Sequence, residues 1–99
     1  MSVKVSRRKQ IIRQRLDELI NLARSLSPDF LVVEETPPYE DEVARLEFFV
    51  PARLRDRVRR ALIKRSVEIL LEDGFDIGIG VYGVKKSEMS TMTAAEQSG

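Results

Sequence analysis

Val43-Ala44-Arg45-Leu46-Glu47-Phe48-Phe49-Val50 places Ala44, Leu46, Phe48 and Val50 on one side and Val43, Arg45, Glu47 and Phe49 on the other. That period of two marks a strand with one buried face. Pro51 follows at once. Its missing N–H costs nothing at the first position of a helix, and Gly74 suits the left-handed position just past a helix end, so a helix is expected over 51–73. Beyond it Phe75, Ile77, Ile79 and Val81 alternate with Asp76, Gly78, Gly80 and Tyr82, a strand whose second face is nearly bare of side chains.

Upstream, Thr36-Pro37-Pro38-Tyr39-Glu40-Asp41-Glu42 reads as a stiff acidic connection, and Phe30 to Glu35 as a short β-branched strand. Ser27-Pro28-Asp29 breaks the helix that precedes it. Within that helix, expected over Arg7–Leu26 with Ser6 as its cap, Ile12, Leu16, Leu19, Ile20, Ala23 and Leu26 recur at steps of three and four and form one apolar stripe. A first strand over Ser2–Val5 completes the order βαββαβ. The expected fold is therefore α+β, a ferredoxin-like split βαβ sandwich with two helices packed on one face of an antiparallel sheet. Without that strand, the same reading gives three strands and two helices.

The chain has 99 residues, enough for one core, so 1–84 is read as a single domain and 85–99, rich in Ser, Thr, Met and Ala, as a flexible tail. No apolar run approaches the roughly 20 residues that cross a bilayer, and no signal-peptide pattern opens the chain, so a cytoplasmic protein without membrane contact is expected. The sequence has no Cys and no His. Disulfide and thiol chemistry are thereby excluded, and no haem, zinc or thiol cofactor is expected. A single Asn, with abundant Arg and Glu, leans toward a heat-adapted composition.

A net charge of +1 conceals strong sorting: residues 1–26 carry seven Lys/Arg against two Asp/Glu, 27–50 one against seven, and 51–73 seven against four. Arg53, Arg57, Arg60 and Lys64 follow i, i+4, i+7 and i+11, which gathers them within roughly 60° of the helix circumference, opposite Leu54, Val58, Leu62 and Ile69. Guanidinium groups bridge phosphate oxygens with paired hydrogen bonds, so this ridge, with Arg7 and Arg8 at the head of the first helix, is the candidate nucleic-acid-binding set. The bland alternatives are a solvated face or pairing with the acidic 34–47 segment. Arg7, Arg8 and Lys9 in one first turn, and Arg53 and Arg55 in the other, oppose the helix dipole, so stability alone does not favour them.

Apolar residues exceed what one helix face needs. Ile63, Val67, Leu70 and Leu71, with Ile11 and Leu22, are expected to pack the two helices side by side. Alternatively Ile63, Val67 and Leu70, with Phe49 and Tyr82 on the outer sheet face, form a homodimer interface. That sheet face also admits base stacking, although Arg45-Leu46-Glu47-Phe48-Phe49-Val50 lacks the glycines of an RNA-recognition motif. Gly78-Ile79-Gly80-Val81-Tyr82-Gly83 spells GxGxxG, and Gly80 to Gly83 spells GxxG. Both are declined, because each run lies in a strand where those loops must open or join helices.

Glu34, Glu35, Glu40, Asp41, Glu42 and Glu47 are the only catalytic candidates, as Mg²⁺ ligands or acid–base groups, and their spacing fixes no geometry. The leading expectation is a small non-enzymatic module, dimeric, with no metal and no cofactor, that binds nucleic acid or another polyanion. The alternative is an assembly subunit pairing basic helices with a neighbour's acidic hairpin.

Overall fold

The computed structural model describes residues 2–35 and 42–85. In chain order these are helix α1 (Ser2–Leu26), strands β1 (Leu31–Glu35) and β2 (Glu42–Pro51), a 3-10 turn (Ala52–Leu54), helix α2 (Arg55–Asp73) and strand β3 (Asp76–Val84). The class is α+β, with two helices and a three-stranded mixed sheet ordered β1-β2-β3. Thr36 to Asp41, including the acidic residues Glu40 and Asp41, and most of the expected 85–99 tail lie outside the described residues.

The expected βαββαβ order is corrected to αββαβ. Ser2–Val5 continues α1 rather than forming a strand. Extending a helix adds one hydrogen bond per residue with no new nucleation cost, whereas four residues without a hairpin partner have little to pin them as a strand. The sheet changes with it. In the split arrangement a further strand separates the two joined by the second helix; here β2 and β3 pair directly and parallel, with α2 as their crossover, and Leu46 lies opposite Ile79 and Phe48 opposite Val81. Only β1 and β2 are antiparallel, with Leu31 opposite Phe49 and Val33 opposite Glu47.

The alternation of β2 is realised as read. Leu46, Phe48 and Val50 are fully buried and meet Ile77 and Val81 of β3, Val58, Leu62 and Ile69 of α2, and Leu16, Leu19 and Ala23 of α1. Phe30, just before β1, tilts its ring against Phe48 at 6.2 Å. Ser27 ends α1 by donating its N–H to the Ala23 carbonyl at 2.8 Å and its hydroxyl to the Asp29 carbonyl at 2.7 Å. Gly74 closes α2 in the left-handed region, at φ 77°, and donates its N–H to the Leu70 carbonyl. Pro51 differs from expectation: it closes β2, and the 3-10 turn intervenes before α2 begins at Arg55.

The helices do lie side by side, but Val67, Leu70 and Leu71, expected between them, are 48, 40 and 80 % exposed. Ion pairs line the seam. Arg15 donates to Asp73 at 2.6 Å and to Glu18 at 2.9 Å, Arg65 bonds Glu18, and its Nη1 donates to Glu68 at 3.0 Å. Such partly exposed pairs add little stability singly, but they fix how the two helices register against each other. Ile11 and Leu22 pack against the main core.

Arg65 and Arg15, in that order of effect, hold the Glu18 carboxyl below its ordinary value of 4.5. A depressed folded value adds stability that is complete above 4.5 and lost as pH falls through the folded value. Thermal melts across acidic pH should therefore fall less steeply for Glu18→Gln than for the wild type. Equal slopes would show that the pair does not contribute.

Candidate polyanion-binding face

Two surfaces carry the candidate residues, and they lie on opposite sides of the sheet. On the outer sheet face Arg45 Nε donates to Glu47 Oε1 at 2.8 Å, and Arg45 Nη1 approaches Glu42 Oε2 at 3.5 Å. These side chains lie flat on β3 because it offers bare backbone. A Cβ on Gly78 would stand 2.5 Å from Glu42 Oε2, and one on Gly80 would collide with Glu47 Oε2. Glu47, only 7 % exposed, and Glu42 each keep one buried carboxylate oxygen without a hydrogen-bond donor among the described residues. Gly80→Ala should displace the Glu47 carboxylate and cost about 1–2 kcal/mol, read as a melting temperature lower by roughly 4–15 °C. An unchanged melt would show that the carboxylate relocates freely.

Phe49 and Tyr82 stack on each other at 5.4 Å, with Phe49 half-buried and Tyr82 45 % exposed. The Glu47 carboxylate beside it pushes the Tyr82 phenol above its ordinary value. One open aromatic ring next to two carboxylates is a poor seat for a phosphate backbone. Gly78, Gly80 and Gly83 stand within β3, not in a loop that opens or joins helices as the declined motifs would require. Among the described residues no three acidic side chains gather as a metal site.

The outer side of α2 is different in kind. Val58, Leu62 and Ile69 face the core, which turns Arg57, Arg59, Arg60 and Lys64 outward, all exposed. Arg53, also exposed, sits in the preceding 3-10 turn. Arg13, Arg15, Arg45 and Arg65 each have carboxylate partners, and Arg55 has its neighbour Asp56 at 3.0 Å. Among the described residues Arg53, Arg57, Arg59, Arg60 and Lys64 have none. Asp56, Arg59, Arg60, Ile63 and Lys64 line an open groove along this side. Arg59 was not in the expected set: the four-residue ridge pattern skips it, although a helical wheel puts it on the exposed arc.

Arg7 and Arg8 do not join this ridge. Because α1 starts at Ser2, they lie beyond its first turn, and Arg8 rests over the Phe75 ring at 5.5 Å, beside the C-terminal end of α2. The basic ridge starts at the other end, about 28 Å away along the helix axis. Of the interface candidates, Val67 and Leu70 are exposed and Ile63 half-buried on the outer side of α2, while Phe49 and Tyr82 belong to the sheet face. Glu34 and Glu35 are exposed at the end of β1, and Glu34 accepts Arg13 at 2.7 Å.

No described helix is long and apolar enough to cross a membrane. Compared with protein-family models, curated proteins and solved structures, the chain matches none.

Proposed function

We propose that this protein is a non-enzymatic binding module that engages a polyanion, nucleic acid foremost, through the outer side of α2. One contrast carries the reading. Arg13, Arg15, Arg45 and Arg65 are matched by carboxylates, whereas Arg53 in the 3-10 turn and Arg57, Arg59, Arg60 and Lys64 on α2 stand exposed with no carboxylate partner among the described residues. Unscreened cations on a shared flank raise the local potential enough to concentrate phosphate, even on a chain of net charge +1. The sheet face, with its buried carboxylates, repels the same ligand. With neither Cys nor His in the sequence, and with Glu34, Glu42 and Glu47 engaged by arginines, a catalytic reading has little to build on.

Binding to single- and double-stranded DNA and RNA, titrated with salt, tests this. Four phosphate contacts give a logarithmic slope of about −3.6 on duplex and −2.8 on single strands, so raising salt from 50 to 200 mM should weaken binding about 150-fold or 50-fold respectively. No retention on heparin at low salt, or a slope near zero, would end the reading.

A further inference from the structure

We propose that the polyanion held by α2 is a nucleic-acid double helix, gripped by its phosphate backbone, and not a single strand. The inference rests on the polyanion reading and names its ligand class.

The aromatic residues of the chain are Phe30, Tyr39, Phe48, Phe49, Phe75 and Tyr82, so neither 1–29 nor 52–73 contains one. Both helices are therefore free of rings. Sites for single strands combine a basic groove with aromatic side chains on which successive bases stack. Here the two are kept apart. Phe48 and Phe75 are buried, Phe30 is tilted against Phe48, Phe49 and Tyr82 stack on each other across the sheet from α2, and Tyr39 lies outside the described residues. The groove along α2, lined by Asp56, Arg59, Arg60, Ile63 and Lys64, holds no ring. A base turned toward this helix meets only charge and aliphatic carbon.

The shape of the ridge points the same way. Arg53, Arg57, Arg60 and Lys64 form a nearly straight row roughly 16 Å long, and Val58, Leu62 and Ile69 anchor the opposite side of the helix in the core. The charges are thus held at set intervals. A flexible strand must be straightened to match such a row, and without stacking nothing offsets the freedom it loses. A double helix is stiff over about 150 base pairs and carries roughly one phosphate per 1.7 Å of its axis, so it meets the row with little ordering. Counterion release adds to the preference. With four contacts the logarithmic salt slopes of duplex and single strand differ by about 0.8, which makes the duplex about tenfold tighter at 50 mM salt if the two are equal at 1 M. Phosphate contacts carry no sequence information directly. Duplexes of DNA and of RNA therefore present the same chemistry to the row.

Fluorescence anisotropy with the full chain tests this, using one mixed-sequence oligonucleotide as single strand and as duplex, in DNA and in RNA. Either duplex should bind about tenfold or more tightly than its single strand at 50 mM salt, with the gap narrowing as salt rises, and the tighter of the two duplexes names the source. Single strands that bind as tightly as their duplexes, or binding of heparin alone, overturn the inference and leave the polyanion reading standing. Failure to bind any duplex, any strand or heparin ends both. Tyr82→Ala, with its fold checked by the melt, locates the contact. Unchanged affinities support α2, whereas loss of nucleic-acid binding in a folded Tyr82→Ala chain puts the ligand on the sheet face and overturns the inference.

Discussion

Phe48→Ala is expected to cost about 3–5 kcal/mol, a large part of the roughly 5–15 kcal/mol that holds a domain of this size folded. Phe48 is fully buried, and among the described residues no other fully buried side chain is larger. It sits at the centre of β2, opposite Val32 on one neighbour strand and Val81 on the other, with the Phe30 ring 6.2 Å away. Truncation removes transfer energy and leaves a void between sheet and helices that the short strand β1 cannot collapse to fill. The melting temperature should fall by roughly 15–30 °C. Phe49→Ala is the control. Its side chain is half-buried on the opposite face against Tyr82, so its loss should be less than half as large. Equal losses would contradict the two-faced strand.

That contrast was legible in the sequence because it follows from a local period. Leu46, Phe48 and Val50 alternate with Arg45, Glu47 and Phe49, and any pleated chain must send the two sets to opposite sides. Gly74 was legible for the same local reason, a left-handed terminus that favours glycine. The parallel pairing of β2 with β3 was not. It depends on whether Ser2–Val5 supplies an intervening strand, and Val3 and Val5 suit a strand while their neighbours suit a helix; continuity with α1 decides. The ion-pair seam was equally hidden. Arg15 meets Asp73 across 58 positions and Arg65 meets Glu18 across 47, and no short-range pattern announces either. The basic ridge stood between these cases. Its spacing was visible, but whether Arg57 and Arg60 were neutralised depended on carboxylates distant in sequence, and Arg7 and Arg8 fell at the wrong end of α2 to join it.

Replacing Arg57, Arg60 and Lys64 together by Gln should lower polyanion affinity on the order of 10³-fold at 50 mM salt and reduce the magnitude of the salt slope on duplex by about 2.7. Each removed cation forfeits the release of counterions from one phosphate, and the loss grows as salt falls. Stability should not follow. The three side chains are exposed with no partner among the described residues, and exposed substitutions of this kind stay within about 0.5 kcal/mol. Arg57 in the first turn of α2 opposes the helix dipole, so its removal should if anything raise the melt, since such a cation costs about 0.3–1 kcal/mol. Binding and stability thus move in opposite directions, which a merely structural role for these residues does not produce. Arg7→Gln with Arg8→Gln is the matched control: it removes comparable charge from the far end of α2 and should leave the slope nearly unchanged. If both variants reduce the slope alike, long-range net charge rather than the α2 ridge governs attraction, and the assignment to that helix fails.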